Sequence, residues 1–116
     1  MPRYLLQVSY TSDGWGTLVK NPQDRIKAIT PVVEGHRGKV IDGYLCFGEY
    51  DLIAIIEMPN NVSAAAFAIA AAAGGAVKEI KTTPLMTTSE GIEAMRQAAS
   101  SKYRPASSSK TAARKK

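Results

Sequence analysis

The chain has 116 residues, with 15 Lys and Arg against 10 Asp and Glu, a formal charge of +5. That length fits one domain and leaves no room for a second core. A hydrophobic content of 45% with 22% charged residues is ordinary for a globular protein and excludes a disordered one. A single Cys and a single His exclude both a disulfide framework and a Cys/His zinc site within one chain. No apolar run reaches the ~18 residues of a membrane span, and the start of the chain alternates like a strand, unlike a signal peptide. A cytoplasmic location is the expectation.

The charge is unevenly placed. Residues 101–116 hold six cations and no acid, which leaves nine cations against ten acids, a net −1, in residues 1–100. The sequence therefore predicts a nearly neutral domain over 1–100 and a disordered basic tail over 101–116. A tail rich in Ser, Ala, Lys and Arg buries too little to offset its ordering entropy.

In chain order, Tyr4–Tyr10 alternates, with Tyr4, Leu6, Val8 and Tyr10 on one face and Leu5, Gln7 and Ser9 on the other, so it reads as a strand. Ser12 or Asp13 is placed to cap a short helix over Trp15–Lys20. Asn21 is placed to cap a second, with Pro22 at its first position, Asp24 reaching back, and a stop at Gly35. Pro31 is expected to kink or shorten its last turn. The whole reads as a broken helix. KVIDGYLCFG and DLIAIIEMP, joined by Gly48-Glu49-Tyr50, predict an antiparallel hairpin. Leu52–Ile56 is apolar throughout, which predicts burial of both its faces. Asn60 or Asn61 caps an alanine-rich helix that Gly74-Gly75 ends; a fourth strand over Ala76–Thr83 follows. Thr87-Thr88-Ser89-Glu90 is a capping box for a last helix carrying Ile92, Met95 and Ala99.

This order, β-α-β-β-α-β and a C-terminal helix, is the ferredoxin-like arrangement of the α+β class. It predicts a four-stranded antiparallel sheet with its main helices on one face. The other face would bear Ile53 and Ile55 or their neighbours, too much apolar surface to leave open, so a sheet-against-sheet homodimer is expected.

Phe47-Gly48-Glu49-Tyr50-Asp51, ahead of an aliphatic strand ending Glu57-Met58-Pro59, resembles the GYD-domain family and its Gly-Tyr-Asp signature, with Glu49 between Gly48 and Tyr50-Asp51. Ser9-Tyr10-Thr11, Asn21-Pro22 with Asp24-Arg25, Gly74-Gly75-Ala76 and Lys81-Thr82-Thr83-Pro84-Leu85 fit the family pattern, over about residues 3–98. Pro31 and the basic tail are local departures. The resemblance implies a dimeric α/β barrel related to the ferredoxin-like fold. It supplies no activity.

Several residues are candidates for chemistry. Asp51 as general base and Tyr50 as donor would serve a pocket at the sheet edge; alternatively Asp51 ties the turn and Tyr50 packs. His36 follows Gly35, where a cation suits a helix C-terminus better than catalysis. Cys46, in apolar company, reads as an inert small hydrophobe. Gln7, Ser9, Tyr44 and Lys81 are candidates for a small-molecule site on the sheet, and Trp15 for a cavity mouth or a cover over the core. No phosphate loop or catalytic triad is present in the sequence, and neither a cofactor nor a metal is expected. Three functions follow. The first is a dimeric module binding a small molecule or another protein. The second is a cofactor-free monooxygenase or isomerase acting in the barrel cavity. The third is weak nucleic-acid or anionic-surface association through the tail.

Overall fold

A computed structural model describes residues 1–106. The chain divides into two compact units, Met1–Met86 and one beginning at Thr87. The first contains β1 (Arg3–Tyr10), α1 (Ser12–Lys20), α2 (Arg25–Gly35), β2 (Lys39–Leu45), β3 (Leu52–Glu57), α3 (Asn61–Ala73) and β4 (Val77–Leu85); the second contains α4 (Thr88–Ala99). The four strands form one antiparallel sheet in the order β2-β3-β1-β4, the α+β, ferredoxin-like topology expected. Residues 101–106 carry no regular secondary structure, and the remainder of the basic tail lies outside the described residues.

Two of the expected caps are displaced. Thr11, not Ser12 or Asp13, caps α1: its Oγ1 accepts the Gly14 amide at 2.9 Å, and the helix starts a turn before Trp15. Asp24, not Asn21, caps α2, its Oδ1 accepting from the amides of Ile26 at 2.9 Å and Lys27 at 3.2 Å. Because one carboxylate serves both amides there, Pro22 stays in the connection and α2 begins at Arg25. Pro31 lies inside α2 without ending it, since wholly buried Val33 holds the last turn against the core and the helix runs to Gly35. β4 extends through Pro84 to Leu85. It is an edge strand, where a missing amide costs no ladder bond on the open side.

On one face of the sheet Tyr4, Leu6, Ala54 and Ile56 pack with Val33, Met58, Ala64 and Phe67 to form the core. Within it the Tyr4 hydroxyl donates to Asn61 Oδ1 at 2.6 Å, which leaves the one buried phenol satisfied. β3 alternates strictly between buried and half-buried, so the expected burial of both faces is not found in the single chain: Ile53 and Ile55 stay partly accessible on the other face. In the second unit, the expected capping box is present. Thr87 Oγ1 accepts the Glu90 amide at 3.0 Å, and the Thr87 amide donates to Glu90 Oε1 at 2.8 Å.

Candidate functional site

The strand register places Leu5, Gln7, Ile53, Ile55, Asp42, Tyr44, Lys81 and Thr83 together on the face away from the helices. One row reads Tyr44, Ile53, Gln7, Lys81 across all four strands; the next reads Asp42, Ile55, Leu5, Thr83. The centre of this face is aliphatic and its edges polar, with an acid on β2 and a lysine on β4. The Tyr44 hydroxyl donates to Asp42 Oδ2 at 2.9 Å, and that bond, with the carboxylate's charge, pushes the phenol up from its usual value. Below these rows Arg3 Nε meets Glu57 Oε2 at 3.0 Å. Thus Gln7, Tyr44 and Lys81 share a row, and buried Ser9 flanks it on β1, opposite Glu79. Trp15 belongs to α1 and is in neither row; it lines a separate concavity at the β2 edge with Pro22, Gly43, Tyr44 and Leu45.

The other candidates lie apart. Asp51 is bonded into β1: its Oδ2 accepts the Tyr10 amide at 2.9 Å, its own amide donates to the Val8 carbonyl at 2.8 Å, and its carbonyl accepts the Cys46 amide at 2.7 Å. The Cys46 thiol donates to the Tyr50 carbonyl at 3.2 Å, closing the same turn. His36 follows α2 at the far end of the hairpin, where Lys39 pairs with Glu57. The length of β2, roughly 20 Å at strand rise, separates it from Asp51. Among the described residues there is no group of three or more His, Cys, Asp and Glu that could hold a metal ion.

A second concavity opens on the helix side. α2 rests on β2 and α3 on β4, the two edges of the sheet, and the helices part at one end of it. The result is a cleft of about 450 Å³ lined by Leu6, Leu18, Ile29, Phe67, Ala71 and Ile80, with Tyr10, Gln23 and Arg25 among its polar groups. The alanines of α3 keep it open by being short. Burial pushes the Tyr10 phenol up from its usual value; the Arg25 guanidinium beside it pulls the other way, and the Asp51 charge adds to the rise. Trp15 packs edge-on against Tyr10, ring centres 5.4 Å apart. Sequence reasoning did not single out Arg25 as a site residue. Its signal was a cation placed one residue before Ile26 and four before Ile29, on the apolar side of a helix, with no acid three or four positions along.

The end of the β2–β3 hairpin is the third feature. Phe47 is 99% exposed and Leu45 67% exposed, with Tyr44 beside them at 60%.

Comparison with known proteins agrees with the motif reading. The family model described as GYD domain matches residues 4–95. A curated relative, the glutamine synthetase and cystathionine beta-lyase binding protein of Thermus thermophilus, is 34% identical over 79 residues, covering 67% of this chain and 82% of its own. No solved structure matches. The segments bearing Tyr10, Arg25, Asp51 and Gly74 to Ala76 meet around one end of the sheet, and they are among the segments through which the sequence resembles this family. The chain belongs to the GYD-domain family.

Proposed function

We propose that this chain is a cytoplasmic, homo-oligomeric protein-binding module whose partners are enzymes of the glutamine synthetase and cystathionine β-lyase kind. The observation that carries the reading is the hairpin end. A phenylalanine exposed over 99% of its surface, with a 67% exposed leucine two residues before it, is an apolar projection in water. Aromatic side chains of this sort anchor protein interfaces when they enter a partner's pocket. The relative that binds two enzymes supports the choice of partner class. The sheet face supports self-association, since an aliphatic centre ringed by polar residues is how protein interfaces are built. Small-molecule contact by Gln7, Ser9, Tyr44 and Lys81 is then replaced by contact with a second copy.

The test is direct binding of the full chain to purified glutamine synthetase and cystathionine β-lyase from the same organism, by biolayer interferometry. Saturable binding to either, lost or weakened at least about tenfold in Phe47→Ser, is expected, a loss in keeping with an aromatic anchor. Absence of binding to both enzymes contradicts the proposal.

A further inference from the structure

The helix-side cleft has the make-up of a site for one class of small molecule, independently of the protein-binding reading. Its walls are aliphatic and aromatic, from Leu6 on β1, Ile29 on α2, Phe67 and Ala71 on α3 and Ile80 on β4. Its volume, about 450 Å³, lies inside the range of small-ligand pockets. A cation lies among its polar groups: half-buried Arg25, whose Nη1 donates to Gln23 Oε1 at 2.8 Å and whose guanidinium neighbours the Tyr10 phenol.

The charge on that guanidinium is not met by the protein. Asp24, its neighbour in sequence, turns Oδ1 to the amides of Ile26 and Lys27 and makes no ion pair with it. Asp51, the acid close to Tyr10, accepts the Tyr10 backbone amide. Gln23 and Tyr10 are neutral, and among the described residues Arg25 has no carboxylate within ion-pair distance. A half-buried cation with no carboxylate within ion-pair distance, lining an apolar cleft, complements an anion attached to an apolar body. Planar guanidinium geometry suits a carboxylate, which it can hold through two parallel bonds. The Tyr10 hydroxyl, like any phenol, is protonated at neutral pH and can donate to the same head group.

We propose that the cleft binds a small amphipathic carboxylic acid, its compact apolar body among Leu6, Ile29, Phe67 and Ala71 and its carboxylate on Arg25, with the Tyr10 hydroxyl as second donor. The site does not require the hairpin or the sheet face, so its failure would leave the enzyme-binding reading untouched.

Trp15, the sole tryptophan, packs on Tyr10 and reports on the cleft by fluorescence and by its indole resonance. The full chain is titrated with phenylbutyrate and with phenylbutanol, the same body carrying a neutral head. Saturable binding of the carboxylate is expected, with the alcohol about tenfold weaker, as befits one charge-assisted contact. Arg25→Gln should weaken phenylbutyrate about tenfold and leave phenylbutanol unchanged, and Arg25→Lys should recover part of the loss. Ala71→Leu, filling the apolar end, should weaken both compounds; should that variant fail to fold, the head-group and Arg25 comparisons decide alone. No saturable change at millimolar phenylbutyrate, equal affinity for acid and alcohol, or indifference to Arg25→Gln would each overturn the proposal.

Discussion

Gly14 shows how tightly single residues set the geometry of the cleft. α1 lies so close to the start of β4 that a Cβ on Gly14 would stand 2.6 Å from the Ala76 carbonyl oxygen. The contact is with backbone, which cannot rotate away. Gly14→Ala should therefore destabilise the fold by about 1–3 kcal/mol, the cost of overpacking, measurable by urea denaturation. Tyr10 makes a different prediction. Its raised pKa means the folded state opposes deprotonation, so stability is unaffected below about pH 10 and falls as pH climbs from the unfolded to the folded value. Absorbance titration of Tyr10→Phe should lack one late-ionising phenol, and its stability should fall less steeply at alkaline pH. Asp42→Asn, by removing the carboxylate that raises Tyr44, should return that second late phenol toward its usual value.

At the level of elements, local chemistry was readable where it depends on neighbours in sequence. The alternation of β1, the hairpin of β2 and β3, the Gly74-Gly75 stop and the Thr87–Glu90 capping box all follow from side chains within a few residues of one another. The start of α2 was not readable. Asn21-Pro22 and Asp24 are both good openings, and they are distinguished only by which of them faces the amides of Ile26 and Lys27. Asp24→Ala should cost about 1 kcal/mol by the same denaturation measurement, whereas Asn21→Ala should cost little. The candidate site was legible only in part for the same reason. Gln7, Tyr44 and Lys81 stand in one row because of strand register, a long-range property. Trp15 lines a concavity with Tyr44 and Leu45 because α1 meets the β2 edge, which is again a long-range placement. The cleft arises from two helices resting on opposite edge strands, and no short window of sequence encodes that.

At the level of the whole molecule, two surfaces carry the proposed function. The sheet face places Asp42 on one edge strand and Lys81 on the other. A two-fold axis parallel to the strands would lay each acid over the partner copy's lysine edge; an axis across them would oppose like charges. Lys81→Asp should therefore weaken self-association, and Asp42→Lys with Lys81→Asp should restore it, by sedimentation at low salt. The hairpin, by contrast, is the proposed contact for an enzyme partner. Light scattering on the chain alone and mixed with purified glutamine synthetase or cystathionine β-lyase separates these roles most directly. The account expects wild type and Phe47→Ser both to show twice the chain mass or more when alone, and only wild type to join an enzyme complex. A wild-type monomer, or a Phe47→Ser variant that binds the enzyme as tightly as wild type, would contradict it.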